Sequence, residues 1–135
     1  MKVVLDTNVF ISGIFWTSTA SAKIIDLWKQ KKFTLVSSSE IIAELVATLS
    51  TFKIQLGKEL ILEWEKIITS NADIVVPKTK IRLVKDDPDD NKFFEAAIEG
   101  SADYVVSQDH HLLKIGVCEK IKVVTPSEFL QIVYY

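Results

Sequence analysis

Apolar residues recur along this chain at two spacings. Lys2–Leu5, Phe33–Val36, Tyr104–Ser107 and Lys122–Val124 are short apolar runs with turn or cap residues beside them, the signature of buried strands. Between these runs the apolar positions fall three and four residues apart. Ile24, Ile25, Leu27 and Trp28 form one side of a helix that Ser18 or Thr19 can cap and that extends to about Lys31. Ile41, Ile42, Leu45 and Leu49 form the stripe of a second, with Ser37 and Glu40 at capping-box spacing. Lys58–Thr69 carries Leu60, Ile61, Trp64, Ile67 and Ile68 on a third. Asp87-Pro88 suits a helix entry, with an acid at the N-cap and proline in the first turn, and Gly100 suits the C′ position. Thr125-Pro126-Ser127-Glu128 is a further capping box, opening a C-terminal helix. Ile74–Val84 alternates as extended chain does, interrupted at Pro77.

Strands alternating with helices predict an α/β fold: three layers, α/β/α, around a central mostly parallel sheet. No repeat, low-complexity stretch or linker interrupts residues 1–135, so one domain is expected, and 135 residues suffice to bury a core. With 48% hydrophobic residues the chain is too apolar for disorder, yet no apolar run approaches the ~18 residues of a membrane helix. Asp6 arrives too early for a secretory segment, and a lone Cys118 forms no internal disulfide. A cytoplasmic protein without membrane contact is expected. Its net charge of −2 runs against a strongly electrostatic nucleic-acid binder. Local basic groups exist nonetheless: Lys29, Lys31 and Lys32, and then Lys78, Lys80, Arg82 and Lys85.

Parallel sheets bind ligands beyond the carboxyl ends of their strands. Asp6 ends the first strand and Asp109 comes just after the strand at 104–107, so both are expected at that edge. Glu44 borders the apolar stripe of its helix, and Asp90 sits in the first turn after Asp87. Four carboxylates brought together repel one another unless a cation joins them. Mg²⁺ or Mn²⁺ suits such hard oxygen donors and supports hydrolysis of phosphodiesters. Taken singly, each acid has a plainer role as cap, turn or surface residue. Glu40, Asp87 and Asp89 are assigned to capping and solvation.

Four segments occur in an order that resembles the PIN-domain ribonucleases. Val4-Leu5-Asp6-Thr7-Asn8-Val9-Phe10-Ile11-Ser12 is similar to their first motif, and Ser39-Glu40-Ile41-Ile42-Ala43-Glu44-Leu45 to their second. Asp87-Pro88-Asp89-Asp90-Asn91, with Phe93 and Glu95 after it, resembles the third in a bacterial and archaeal subfamily of VapC-like toxins. Ala102-Asp103-Tyr104-Val105-Val106-Ser107-Gln108-Asp109 resembles the fourth. The resemblance implies metal ligation and catalysis by Asp6, Glu44, Asp90 and Asp109. It implies supporting roles for Asn8, whose side chain would orient Asp6, and for Asn91 and Ser107. It implies a metal-dependent endoribonuclease, the toxin half of a toxin–antitoxin pair, with RNA as substrate, an antitoxin protein as partner and a homodimeric state for which 56–68 offers a surface. Gln108 stands where the subfamily often has Gly, and His110-His111 replaces a more usual acidic stretch.

Adjacent His110 and His111 would diverge by about 100° on a helix, and no Cys/His set has zinc spacing, so neither a zinc nor a catalytic role is assigned. Trp16 suits a core or dimer contact better than base stacking, and Cys118 suits plain packing. Two other readings compete. A PIN-like module that binds RNA or protein without turnover would show no metal binding. An aspartyl-phosphate enzyme at Asp6 would want a second Asp where the chain has Asn8.

Overall fold

The computed structural model describes residues 1–85 and 87–134. In chain order the elements are β1 (Lys2–Leu5), α1 (Thr7–Phe15), α2 (Ala20–Lys29), β2 (Thr34–Ser38), α3 (Ser39–Thr51), α4 (Lys58–Asn71) and β3 (Asp73–Val75). A 3₁₀ turn at Pro88–Asp90 leads into α5 (Asn91–Glu99), then β4 (Tyr104–Val106), α6 (His110–Leu113), β5 (Val117–Cys118), β6 (Ile121–Val124) and α7 (Pro126–Tyr134). The strands align in the order β3-β2-β1-β4-β6-β5. Pairing is parallel except between β5 and β6. This is the three-layer, mostly parallel α/β architecture that the strand and helix pattern predicts.

Strand periodicity divides the core into two halves. Successive strand side chains point to opposite faces, and consecutive residues here enter different clusters. Val3, Leu5, Leu35, Val106 and Val124 pack on one face with α1, α2, α3 and Phe129 of α7. Val4, Val36, Val105 and Val123 pack on the other, chiefly with Phe93, Phe94, Ala96 and Ala97 of α5. Strands buried on both faces need apolar residues at every position, which is why they read as runs rather than alternations.

Several boundaries differ from the sequence reading, each for a local reason. Thr19 rather than Ser18 caps α2, accepting the Ala22 N–H at 3.1 Å. Ser38, not Ser37, caps α3, because β2 continues to Ser38 and the Ser38 hydroxyl accepts the Ile41 N–H at 3.3 Å. Residues 74–84 are extended only in part: β3 stops at Val75, and 76–85 has no regular structure. The helix after Asp87 opens with the 3₁₀ turn, and the Asp87 side chain makes no cap hydrogen bond. The final capping box forms as expected, with Thr125 N–H on Glu128 Oε1 at 2.9 Å and Glu128 N–H on Thr125 Oγ1 at 3.1 Å.

Helix α1 and the two-residue edge strand β5 escape the sequence reading. In α1, Gly13 permits close crossing of α2, since a Cβ there would lie 2.9 Å from the Ser21 carbonyl oxygen and against the Ile25 side chain. On α4 the stripe divides: Ile61 and Ile68 are buried, whereas Leu60 and Ile67 are exposed. Among the described residues no helix is long and apolar enough to cross a membrane. Cys118 is buried and packed among the apolar residues of the second cluster, as expected.

Candidate active site

The parallel register of β1 and β4 builds the centre of the site. Leu5 pairs with Val106, so the next residues, Asp6 and Ser107, leave the same edge side by side. The Asp6 N–H donates to the Val106 carbonyl at 3.0 Å, and the Ser107 N–H to the Val124 carbonyl at 3.0 Å. Asp6 is 4% exposed and caps α1, its Oδ1 accepting the Asn8 N–H at 3.0 Å. Its Oδ2 accepts the Ser107 hydroxyl at 2.6 Å. The same hydroxyl oxygen accepts the Asp109 N–H at 2.9 Å, and Asp109 caps α6 through the His111 N–H. One buried serine thus ties two acids from distant segments.

Glu44 reaches the same edge from α3. Its Oε2 accepts the Thr7 hydroxyl, and its Oε1 meets the Lys92 ammonium at 2.8 Å. Asp90 completes the group from the turn before α5. Its Oδ2 is buried with no hydrogen-bond partner among the described residues. Burial, and then the negative charges of Asp87, Asp6, Asp109 and Glu44, push the Asp90 carboxyl up to about 7. Asp6 is also raised, by burial first, while its bonds from Ser107 and Asn8 pull the other way. The four acids predicted from sequence therefore share one electrostatic neighbourhood.

The supporting residues divide. Ser107 is where the sequence places it. The Asn8 side chain is not what orients Asp6: Asn8 is exposed, and its backbone N–H makes the bond because α1 begins there. Asn91 is buried but serves the neighbouring segment. Its Oδ1 accepts the Val84 N–H at 2.8 Å, and its Nδ2 donates to the carbonyls of Val84 (3.4 Å) and Pro88 (3.0 Å). Two further α5 residues, each four positions on, continue this ladder. Glu95 accepts the Ile81 N–H and Glu99 the Lys78 N–H, both at 3.0 Å. The ladder fastens residues 78–84, which form no strand, to the helix as a strap.

Thr7 and Lys92 are the functional neighbours missed by sequence reasoning. Their motif positions are visible, but a hydroxyl or ammonium beside an acid has no spacing signal of its own. His110 and His111 do not diverge as expected: α6 is a single turn, and the rings lie 4.0 Å apart, tilted at 40°. With Asp109 they bring one ligand atom each to within 4.8 Å of one another. Trp16 is 43% exposed and joins Phe15 and Phe52 in a ring cluster rather than entering the core.

Can these residues hold a divalent cation? The donors are carboxylate oxygens, which suit Mg²⁺ or Mn²⁺. The buried, unpartnered Asp90 oxygen is the kind of group a cation satisfies. The donor set fits.

Comparison with known proteins agrees with this geometry. The chain is 32% identical to the uncharacterized protein MJ1680 of Methanocaldococcus jannaschii over 97% of this chain and 90% of that protein. Its fold is similar to VapBC2 from Rickettsia felis bound to a DNA fragment from their promoter. There the TM-score is 0.63 at 19% identity, covering 93% of this chain and 98% of that one. FitAB bound to an IR36 DNA fragment is similar to the same degree, with a TM-score of 0.63 and 19% identity over 92% of this chain and 94% of that one. The PIN domain profile matches residues 2–111. The chain belongs to the PIN-domain family, whose members are in general nucleases.

Proposed function

We propose that this protein is a divalent-metal-dependent endoribonuclease, acting in the cytoplasm as the toxin component of a type II toxin–antitoxin module. The observation that carries the proposal is the meeting of Asp6, Glu44, Asp90 and Asp109, with a buried Asp90 oxygen that has no partner among the described residues. Bound Mg²⁺ or Mn²⁺, held by these four acids, would activate water and offset charge on a phosphodiester under attack. Ser107 fixes the Asp6 carboxylate and the Asp109 backbone in one geometry, so neither needs to reorganise. Thr7 and Lys92 fix both oxygens of Glu44. Hydrolysis forms a bond from water oxygen to phosphorus and breaks the bond to the 3′ oxygen, leaving 5′-phosphate and 3′-hydroxyl ends.

The likeness to VapBC2 and FitAB supports an antitoxin protein as partner. Exposed Leu60 and Leu62 on α4 support a homodimer. The test is cleavage of an end-labelled RNA panel with Mg²⁺, Mn²⁺ or EDTA, with Asp6→Asn as control. Metal-dependent cutting that disappears in Asp6→Asn is expected. Cutting that persists equally in EDTA or in the folded variant would overturn the reading.

A further inference from the structure

A groove of about 880 Å³ lies between α3 and residues 80–85, with α5 along its base. The segment beside it is held through its backbone by the Asn91, Glu95 and Glu99 ladder. Fixing the backbone this way leaves its basic side chains unused by the ladder. Lys80, Arg82 and Lys85 are all exposed and all line the groove. Glu44 and Lys92 line it too, so the groove adjoins the carboxylate site at Glu44.

We propose that this groove is the path by which single-stranded RNA leaves the carboxylate site, with Lys80, Arg82 and Lys85 against its phosphates. The inference rests on the nuclease reading, because a strand cut beside Glu44 has to continue along an adjoining surface. The protein as a whole carries a charge of −2, and its carboxylate site repels phosphate. Affinity for a polyanion therefore has to come from local cations, and these three stand on one wall of the groove. Glu40 and Asp89 also border the groove, which confines favourable phosphate contact to the strap side. Ile81 and Pro88 offer apolar surface to sugars and bases. An acidic peptide would meet the same cations but gains nothing from the continuity with Glu44.

The test compares Lys80→Gln/Arg82→Gln/Lys85→Gln with the parent protein, both carrying Asp6→Asn so that the probe stays intact. Binding of a fluorescent single-stranded RNA of about 12 nucleotides is measured by anisotropy in Mg²⁺ between about 50 and 200 mM salt. Loss of three phosphate contacts is expected to weaken binding on the order of tenfold and to flatten the salt slope by about 2, at ~0.7 per contact. Unchanged affinity and slope would overturn the proposal. So would a variant that loses a polyglutamate peptide of equal length while holding RNA as before. The substituted side chains are exposed, so an unchanged thermal midpoint is expected; Arg82→Gln alone should move affinity and slope in the same direction. Cleavage by the parent without Asp6→Asn reports on the nuclease reading separately: RNA held through these cations but never cut would remove that reading alone.

Discussion

Ser107 and Asp6, 101 positions apart in the chain, share a buried hydrogen bond of 2.6 Å at the ends of adjacent parallel strands. That bond is the strongest influence drawing the Asp6 carboxyl back toward its ionised form against the effect of burial. Ser107→Ala removes it and leaves Asp6 Oδ2 short of a partner. The expected cost is about 1–2 kcal/mol in metal-free stability, read from the denaturant midpoint. Metal affinity at neutral pH should fall as well, because Asp6 then holds its proton more tightly. Calorimetric Mn²⁺ titrations matching the parent would show that Ser107 does not tune Asp6.

The raised acids give the metal-free protein a distinctive pH response. An unfolded Asp titrates near 3.9, whereas native Asp90 is pushed up to about 7, and Asp6 is raised too. Between those values the native state holds protons that the unfolded chain has released. Stability therefore falls as pH rises through that window, the reverse of the usual carboxylate effect. Thermal midpoints in EDTA should drop from about pH 5 to pH 8, and Asp90→Asn should flatten the drop. Divalent metal competes with those protons, so its affinity should climb with pH through about 7. A midpoint that rises over this range in the parent, or an equal drop in Asp90→Asn, would refute the coupling.

Lys92 places a cation at the edge of this cluster, 2.8 Å from Glu44. In Lys92→Gln the carboxylates lose that charge, so the metal-free protein should melt at lower temperature. A divalent ion then relieves more repulsion than it does in the parent, and the metal-induced rise in melting temperature should be larger. The comparison needs only thermal melts with and without Mn²⁺. Equal metal-induced shifts in the two proteins would mean that Lys92 serves packing alone.

How far this arrangement is legible in the sequence depends on the range of the forces involved. The strands of the sheet's centre are legible because burial on both faces demands unbroken apolar runs, as in Lys2–Leu5. Asp6 and Asp109 are legible because parallel strands deliver their succeeding residues to one edge. Helix α1 is not, since Thr7–Phe15 includes Gly13 and β-branched residues of modest helix propensity, and its stability comes from packing against α2. The Ser37-to-Ser38 shift in the α3 cap is a one-residue choice that β2 decides. Asn8 is misread because a backbone donor and a side-chain donor at one position are indistinguishable in sequence. The strap ladder is invisible for a different reason. Asn91, Glu95 and Glu99 show helical spacing, but the N–H groups they accept belong to a segment whose path is set only in three dimensions.

Asn91 anchors the strap from its buried end. It is 6% exposed and satisfies both backbone polar groups of Val84, itself 3% exposed, while also donating to Pro88. Asn91→Ala leaves a buried N–H and a buried carbonyl without these bonds, at an expected cost of about 2–4 kcal/mol. Glu99→Gln, at the exposed end of the ladder, keeps an acceptor for Lys78 N–H and should cost little. The two variants should differ most in amide exchange. In Asn91→Ala the amides of Ile81 and Val84 should exchange faster relative to those of α5, because the strap opens before the helix does. In Glu99→Gln those amides should keep the parent's protection. If strap and helix amides accelerate together in Asn91→Ala, the residue supports the whole second core rather than fastening the strap. The groove wall would then depend on global stability rather than on this ladder.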